Sequence, residues 1–478
     1  MTAISFAAQI ATVNPTTGTL LRTYNAHTVQ QIEEIVAAVH SVQPAWAALS
    51  VASRVGYLSS LAAQLRADRT ALAQLAVQEM GKPISEALAE VDKCVGMCEY
   101  YVTTGSQALA PLQVMSRAPR SWIAHEPLGV VLAVMPWNFP YWQVMRFAIP
   151  TLLAGNVGLL KHAPNVTGCA LAIERLFADA GLPVDILRTL LVAESDVPET
   201  VAALIADERV AAVTLTGSER AGAVVASHAG RAVKKSVLEL GGSDPFIVLD
   251  DAVVPLAVAA AVKSRFLNAG QSCMAAKRFI VHRAVADEFV TCFAAAVDAL
   301  AVGDPAHYAT SIGPLARKDL VEALEQQVNA SVVSGATVRT GGNRLEGPGF
   351  WYAPTVLGDA AEGMPVMTEE TFGPVAAVTE VSDDEEAVEV ANATRYGLGA
   401  SIWSRDIERS LTLGRSITSG ALFVNAVPLS DARLPFGGTK HSGYGRELSS
   451  EGVLEFTNTR TYLVGAWAPP TIPPQESS

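Results

Sequence analysis

Val237-Leu238-Glu239-Leu240-Gly241-Gly242 is the stretch on which the reading of this chain turns. An apolar strand ends on a carboxylate and breaks at two glycines. Downstream, Asn268-Ala269-Gly270-Gln271-Ser272-Cys273 puts a thiol in a Gly-containing loop within an otherwise apolar region. A thiol and a carboxylate at turns are the parts that covalent catalysis needs: a nucleophile, and a base that activates water. Either alone says little, because most cysteines are buried and inert.

Upstream of this stretch, residues 130–134, 157–160, 187–192, 211–215 and 233–238 read as short β-rich runs, with helical segments over 141–153 and 170–180. Such alternation implies a parallel sheet covered by helices. After Gly242 a second series begins, with a strand at 246–249 and a helix at 253–267, and continues to about Val424. A domain boundary near Gly241 places Glu239 and Cys273 at the junction, a usual position for a cleft. The first hundred residues read as helices, with Ile32, Ile35, Val36 and Val39 at helical spacing. Residues 116–125 alternate polar and apolar and read as an exposed arm that pairs with another chain. The Pro-rich tail from Ala468 reads as loosely ordered.

A chain of 478 residues exceeds one small core, so two or three domains are expected. With 50% hydrophobic and 17% charged residues, it reads as a large globular enzyme rather than a disordered chain. A net charge of −13 argues against nucleic acid as a partner. The five cysteines (Cys94, Cys98, Cys169, Cys273, Cys292) are few and odd in number, as in a reducing compartment without a disulfide framework. Residues 1–13 lack the features of a secretory signal. The apolar run 147–160 is too short for a membrane span and contains Pro150, Gly155 and Asn156. A cytoplasmic protein independent of membranes is expected. Cys94 and Cys98 read as core residues and the histidines are scattered, so no metal is expected.

Leu215-Thr216-Gly217-Ser218 ends a strand and opens a helix, whose first amides favour phosphate. Read alone, it is equally an ordinary capped helix. In Pro136-Trp137-Asn138-Phe139-Pro140, two prolines fix a loop whose amide side chain can donate to a developing oxyanion. The bland alternative is a structural turn. Arg146, one helical turn after Trp142 in an apolar helix, needs an anionic partner: an internal carboxylate or a substrate's. The segments 370–374 and 434–438 are Phe-Gly turns and, by themselves, no more.

Together these pieces resemble the aldehyde dehydrogenase superfamily: PWNFP at 136–140, Lys161, TGS at 216–218, LELGG at 238–242, GQSC at 270–273, EETFGP at 369–374 and LPFGG at 434–438. They follow the family's order over roughly residues 30 to 460. The resemblance implies an α/β fold with a Rossmann-type cofactor domain (1–110 and 128–240), an α/β catalytic domain (241–445) and a small β oligomerisation arm (111–127 and 455–470). It implies Cys273 as nucleophile, Asn138 with the Cys273 amide as oxyanion holders, and Glu239 as the base that hydrolyses the thioester. On the cofactor it implies Lys161 and Glu370 at the riboses, Trp137 and Ser218 near the phosphates, and Phe372 by the nicotinamide. Thr216, Gly217 and Leu240 complete the cofactor set. Glu239 argues against acyl transfer to coenzyme A.

Many NAD-preferring members carry an acidic residue three positions after the lysine. Here the run is Lys161-His162-Ala163-Pro164, so NADP is expected as the preferred cofactor, with NAD as the alternative. Residues 134–148, 157–163 and 238–248 look like the bacterial succinate-semialdehyde dehydrogenase subgroup. That resemblance implies Arg146 as the substrate's carboxylate contact and Ser430 as a second. Leu267 departs from a second arginine in some eukaryotic members, and Ala275 from a redox-partner cysteine. A homodimer or homotetramer is expected. Rival readings are another semialdehyde such as glutaric semialdehyde, an uncharged aldehyde, a cofactor-independent thiol esterase, and a non-catalytic binding or scaffold protein.

Overall fold

The computed structural model describes residues 8–465; residues 1–7, positions 466–470 of the arm and the tail from Ala468 lie outside them. Three larger sheets organise the chain. The first runs, in spatial order, Gly443–Tyr444, Lys235–Glu239, Val210–Thr216, Val130–Met135, Val157–His162 and Leu187–Thr189. All pairs are parallel except the short Gly443–Tyr444 edge. Val130–Met135 and the first four residues of Val157–His162 are apolar because both faces of the sheet are covered. Numbered along the chain, the five parallel strands lie in the order 5-4-1-2-3, the doubly wound arrangement. Strand order reverses between Val130–Met135 and Val210–Thr216, and a crevice forms at their carboxyl ends. Pro136-Trp137-Asn138 and Thr216-Gly217-Ser218 occupy those ends.

The second sheet orders Thr337–Thr340, Thr355–Gly358, Val375–Val381, Ala276–His282, Asp244–Val248, Gly399–Trp403 and Ala421–Val424, with only the first strand antiparallel. Glu370, Cys273 and Gly241-Gly242 lie in the loops that enter three of its central strands. The amino ends of the second sheet therefore face the carboxyl ends of the first.

The helix Trp142–Leu153 is held at both ends by N-terminal helices. Glu90 accepts from Tyr141 N (2.8 Å) and Trp142 N (2.9 Å), satisfying amides that the first turn leaves open. Arg54 Nε and Trp46 Nε1 donate to Leu153 O (2.8 Å) and Leu152 O (2.9 Å) at the other end.

The third sheet joins Leu112–Gln113, Arg120–Pro127 and Thr457–Val464, with Trp122 stacked on Tyr462 at 4.7 Å. Its strand begins at Arg120 rather than Ser116, which instead bonds Ser121 at 2.7 Å. Two further features differ from the sequence reading. A hairpin, Gln9–Asn14 and Thr19–Asn25, precedes the helices; its second strand is mostly exposed and so shows no apolar period. Gly443–Tyr444, assigned with the second unit, pairs with the first sheet. No described helix is long and apolar enough to cross a membrane.

Candidate active site

The Cys273 loop is strained and heavily braced. Asn268, Ala269 and Gly270 all have left-handed φ (54°, 51° and 74°), which costs about 1–2 kcal/mol at each non-glycine position. Asn268 N donates to Glu86 Oε2 at 2.7 Å, and Asn268 Nδ2 donates to Asn138 O at 2.7 Å. Gln271 Nε2 returns a bond to Asn268 O at 3.1 Å. Buried Arg265 donates to Val375 O (2.6 Å) and Thr371 O (2.9 Å). A Cβ on Gly270 would stand 2.2 Å from Gly373 O, so the two loops meet backbone to backbone. Lys277 Nζ donates to Ser272 O (3.0 Å) and Cys273 O (2.8 Å), and lies 3.4 Å from Glu370.

Cys273 itself is half-buried. Burial pushes its thiol up to about 11, against the opposing pull of the Arg146 and Lys277 cations. Asn138 Nδ2 donates to Gln271 O at 3.1 Å, which leaves its second hydrogen for another acceptor. Glu239 is buried, and neither carboxyl oxygen has a hydrogen-bond partner among the described residues. Burial first, and then the Glu447 carboxylate, push its pKa well above the ordinary value; Arg146 offsets this in part. Burial and the neighbouring carboxylate thus both favour the neutral form of the Glu239 carboxyl group.

One cavity of about 350 Å³ opens between the sheets. Cys273, Asn138 and Glu239 line it together. So do Trp137, Thr216, Gly217, Ser218, Leu240, Glu370 and Phe372, the bulk of the expected cofactor set. Pro136 and Gly241, already marked by their turns, also line it, as do Gln143, Arg317 and Leu320, which nothing in the sequence singled out. The residues present fit a dinucleotide. Ser218 caps the helix Glu219–Arg231 through Ala221 N (3.3 Å), which presents the helix's first amides to the crevice. Trp137 and Phe372 meet edge to face at 5.7 Å beside the thiol, and Glu370 Oε1 accepts from Gly242 N at 3.1 Å. A second cavity, of about 370 Å³, lies between the helices Val29–Ala47 and Val197–Ala206, but its acidic wall of Glu33, Asp196, Glu199 and Asp207 offers no nucleophile.

Three expected site residues stand off the cavity wall. Lys161 is buried at the end of its strand, where burial lowers its ammonium to about 8. The carboxylate of exposed Glu194 acts on it from the opposite segment, a neighbour that the local run Lys161–Pro164 could not reveal. His162 is buried, accepts from Ala163 N (2.9 Å) and contacts Pro140 O (2.9 Å), so it braces the Asn138 loop. Ser430 is buried and accepts from Lys93 Nζ at 2.7 Å. Arg146 is 1% exposed and ion-paired with Glu447; its guanidinium lies 4.4 Å over the Phe436 ring and 3.5 Å from Thr216 Oγ1. Of its two possible partners, the internal carboxylate is the one that the geometry realises. The apolar helix could not disclose Glu447, which reaches Arg146 from the C-terminal part of the chain.

A doubly wound crevice that opens onto a thiol, an amide and a carboxyl group suits a dinucleotide-dependent oxidoreductase. The chain belongs to the aldehyde dehydrogenase family, whose model matches residues 4–462. It is 48% identical over 455 residues to a probable NADP(+) succinate-semialdehyde dehydrogenase of Synechocystis sp., covering 95% of this chain and 99% of that one. It is 44% identical over 458 residues to the succinate semialdehyde dehydrogenase [NAD(P)+] Sad of Escherichia coli, covering 96% and 98%. The crystal structure of succinic semialdehyde dehydrogenase from Streptococcus pyogenes with NADP+ superposes with a TM-score of 0.92 at 35% identity, covering 96% and 100%.

Proposed function

We propose that this chain oxidises succinic semialdehyde to succinate with NADP as the oxidant. The observation that carries the reading is the convergence of Cys273, Asn138 and Glu239 on one cavity at the crevice. The full-length likeness to proteins named as NADP(+) succinate-semialdehyde dehydrogenases supports the substrate and cofactor. In this mechanism Cys273 Sγ attacks the aldehyde carbon, and its proton leaves to solvent. Asn138 Nδ2 and the Cys273 amide receive the oxyanion of the thiohemiacetal. NADP, when bound, supplies the acceptor for the hydride whose loss leaves a thioester on Cys273. Glu239, once deprotonated, takes a proton from the water that attacks the thioester, and succinate departs. Lys161, Glu370, Trp137, Thr216, Gly217, Ser218, Leu240 and Phe372 form the cofactor's surroundings.

The same reading divides the chain into a cofactor domain (1–110 and 128–240), a catalytic domain (241–445) and an arm through which the chain assembles into a homodimer or homotetramer. It places the protein in the cytoplasm. A steady-state panel of charged and uncharged aldehydes, run with NADP and with NAD, tests the proposal. Succinic semialdehyde with NADP is expected to give the highest kcat/KM, and Cys273→Ala to abolish NADPH formation. Equal turnover of an uncharged aldehyde, a clear preference for NAD, or an active Cys273→Ala variant would each overturn it.

A further inference from the structure

One buried cation ties three loops of the site together. Lys277 is the second residue of the strand Ala276–His282, and none of its side chain reaches solvent. That strand lies between Asp244–Val248 and Val375–Val381 in the second sheet. The loops entering these three strands bring Cys273, Gly241 and Glu370 to the wall of one cavity. An ammonium has three hydrogens. Ser272 O at 3.0 Å, Cys273 O at 2.8 Å and Glu370 Oε1 at 3.4 Å supply an acceptor for each. Gly242 N donates to the same Oε1 at 3.1 Å. Glu370 Oε1 is thus held twice, and Oε2, packed against Gly241, is left to accept from a ligand hydroxyl. Burying a cation is costly, and a strand core by itself gives no reason for one. Burial lowers the pKa of the Lys277 ammonium, and Glu370 is foremost among the groups that keep it charged. On the Cys273 thiol burial acts first; Arg146 and Lys277 then favour the thiolate, while Glu370 and Glu239 oppose it.

We propose that Lys277 is a positioning residue that sets the nucleophile loop and the cofactor's carboxylate contact in register. Its ammonium holds the Cys273 carbonyl on one side and, on the other, anchors Glu370 so that Oε2 faces the cavity. The inference rests on the reading of Glu370 as a contact of a bound NADP ribose. It assigns the alignment of thiol and cofactor to a residue that lines neither the cavity nor any motif named above. Without the ammonium, Glu370 keeps only the Gly242 amide on Oε1, and the thiol loses one of its two cations. A single substitution at Lys277 therefore acts on two readouts that share no other residue.

The test uses the full chain as wild type, Lys277→Met, Glu370→Gln and the double variant. The Kd for NADPH is read by fluorescence titration. Alkylation of Cys273 by iodoacetamide is read at pH 8 without cofactor, peptide by peptide. Lys277→Met is expected to raise the Kd about three- to tenfold, the scale of a weakened hydrogen bond to a charged group. It should also slow alkylation about three- to tenfold, because a cation that favours the thiolate is gone. Glu370→Gln should raise the Kd as well but quicken alkylation, since it removes a carboxylate that opposes the thiolate. A loosened loop would instead expose the thiol and quicken alkylation in both. In the double variant the Kd should be no weaker than in Glu370→Gln alone, because Lys277 acts on the cofactor through Glu370. Additive losses of affinity, a wild-type Kd in Lys277→Met, or alkylation that is not slowed would each overturn the proposal. If Lys277→Met is poorly folded, Lys277→Gln keeps a donor for the carbonyls without the charge. It should show both losses, and wild-type values in either readout overturn the proposal in the same way. A wild type that binds no NADPH sinks the cofactor reading, and the Glu370 half of this proposal with it, whereas the alkylation readout fails only if Lys277 itself is wrongly assigned.

Discussion

The two sides of Cys273 are built differently. On the cofactor side, loops rich in glycine and proline pack closely: Gly270 against the Gly373 backbone, and Gly241 against the Glu370 side chain. On the opposite side, polar groups are paired: buried Arg146 with Glu447 and buried Lys82 with Glu90 as ion pairs, and Lys93 with the Ser430 hydroxyl, the first and last across hundreds of residues of chain. The first kind of construction fixes shape through sterics. The second fixes charge, and its members depend on one another, because removing one buried partner leaves the other uncompensated.

That contrast gives the largest expected effects. Arg146→Ala should strand Glu447 next to Glu239 and cost about 3–5 kcal/mol of stability, read as a lowered Tm. Glu447→Gln in the same chain should return part of the loss, because the stranded charge is gone. A KM effect confined to carboxylated aldehydes, with Tm unchanged, would place Arg146 back on the substrate. On the other side, Gly270→Ala should cost about 2–5 kcal/mol by the sum of a left-handed Ala and a crowded Gly373 carbonyl. A denaturation curve and kcat measured together would check it. Loss of activity should exceed loss of stability, since the strained loop carries Cys273.

The same contrast explains what was legible in the sequence. Strands such as Val130–Met135 and Val157–His162 announce themselves by continuous apolar runs, which a doubly covered sheet requires. Asn138, Cys273 and the Thr216-Gly217-Ser218 turn were legible because the backbone there demands particular residue types at fixed spacing. Charge pairing leaves no such trace. Lys93 and Ser430 are 337 positions apart, and neither has a neighbour that predicts the other. Lys277, buried inside the strand Ala276–His282, offered the one usable hint: a cation in an apolar strand must serve something, and it holds the Cys273 carbonyl. The Gln9–Asn14 hairpin escaped notice for the opposite reason, since its partner strand buries too little to impose a pattern.

A smaller effect probes the electrostatics at the sulfur. With the thiol at about 11 through burial, only the thiolate reacts with iodoacetamide, and its fraction grows about tenfold per pH unit below that value. Alkylation of Cys273 in the protein without cofactor should therefore quicken about a hundredfold from pH 7 to pH 9. A plateau already reached near pH 8 would mean that the cations Arg146 and Lys277 outweigh burial, and that the charged side governs the nucleophile.

The smallest effect concerns the cofactor end, where the two kinds of construction meet. Lys161 sits on a motif strand, yet the carboxylate acting on it, Glu194, comes from a separate segment. A 2′-phosphate brought to Lys161 would be drawn by the ammonium and opposed by Glu194. The opposition is weak because Glu194 is exposed and screened by solvent. Glu194→Gln should therefore raise the ratio of kcat/KM for NADP over NAD only about two- to threefold, the scale of an exposed charge interaction. An unchanged ratio would place the phosphate beyond the reach of Glu194. A lowered one would mean that Glu194 helps by keeping Lys161 charged, and the charge network would then extend to the cofactor as it does to Cys273.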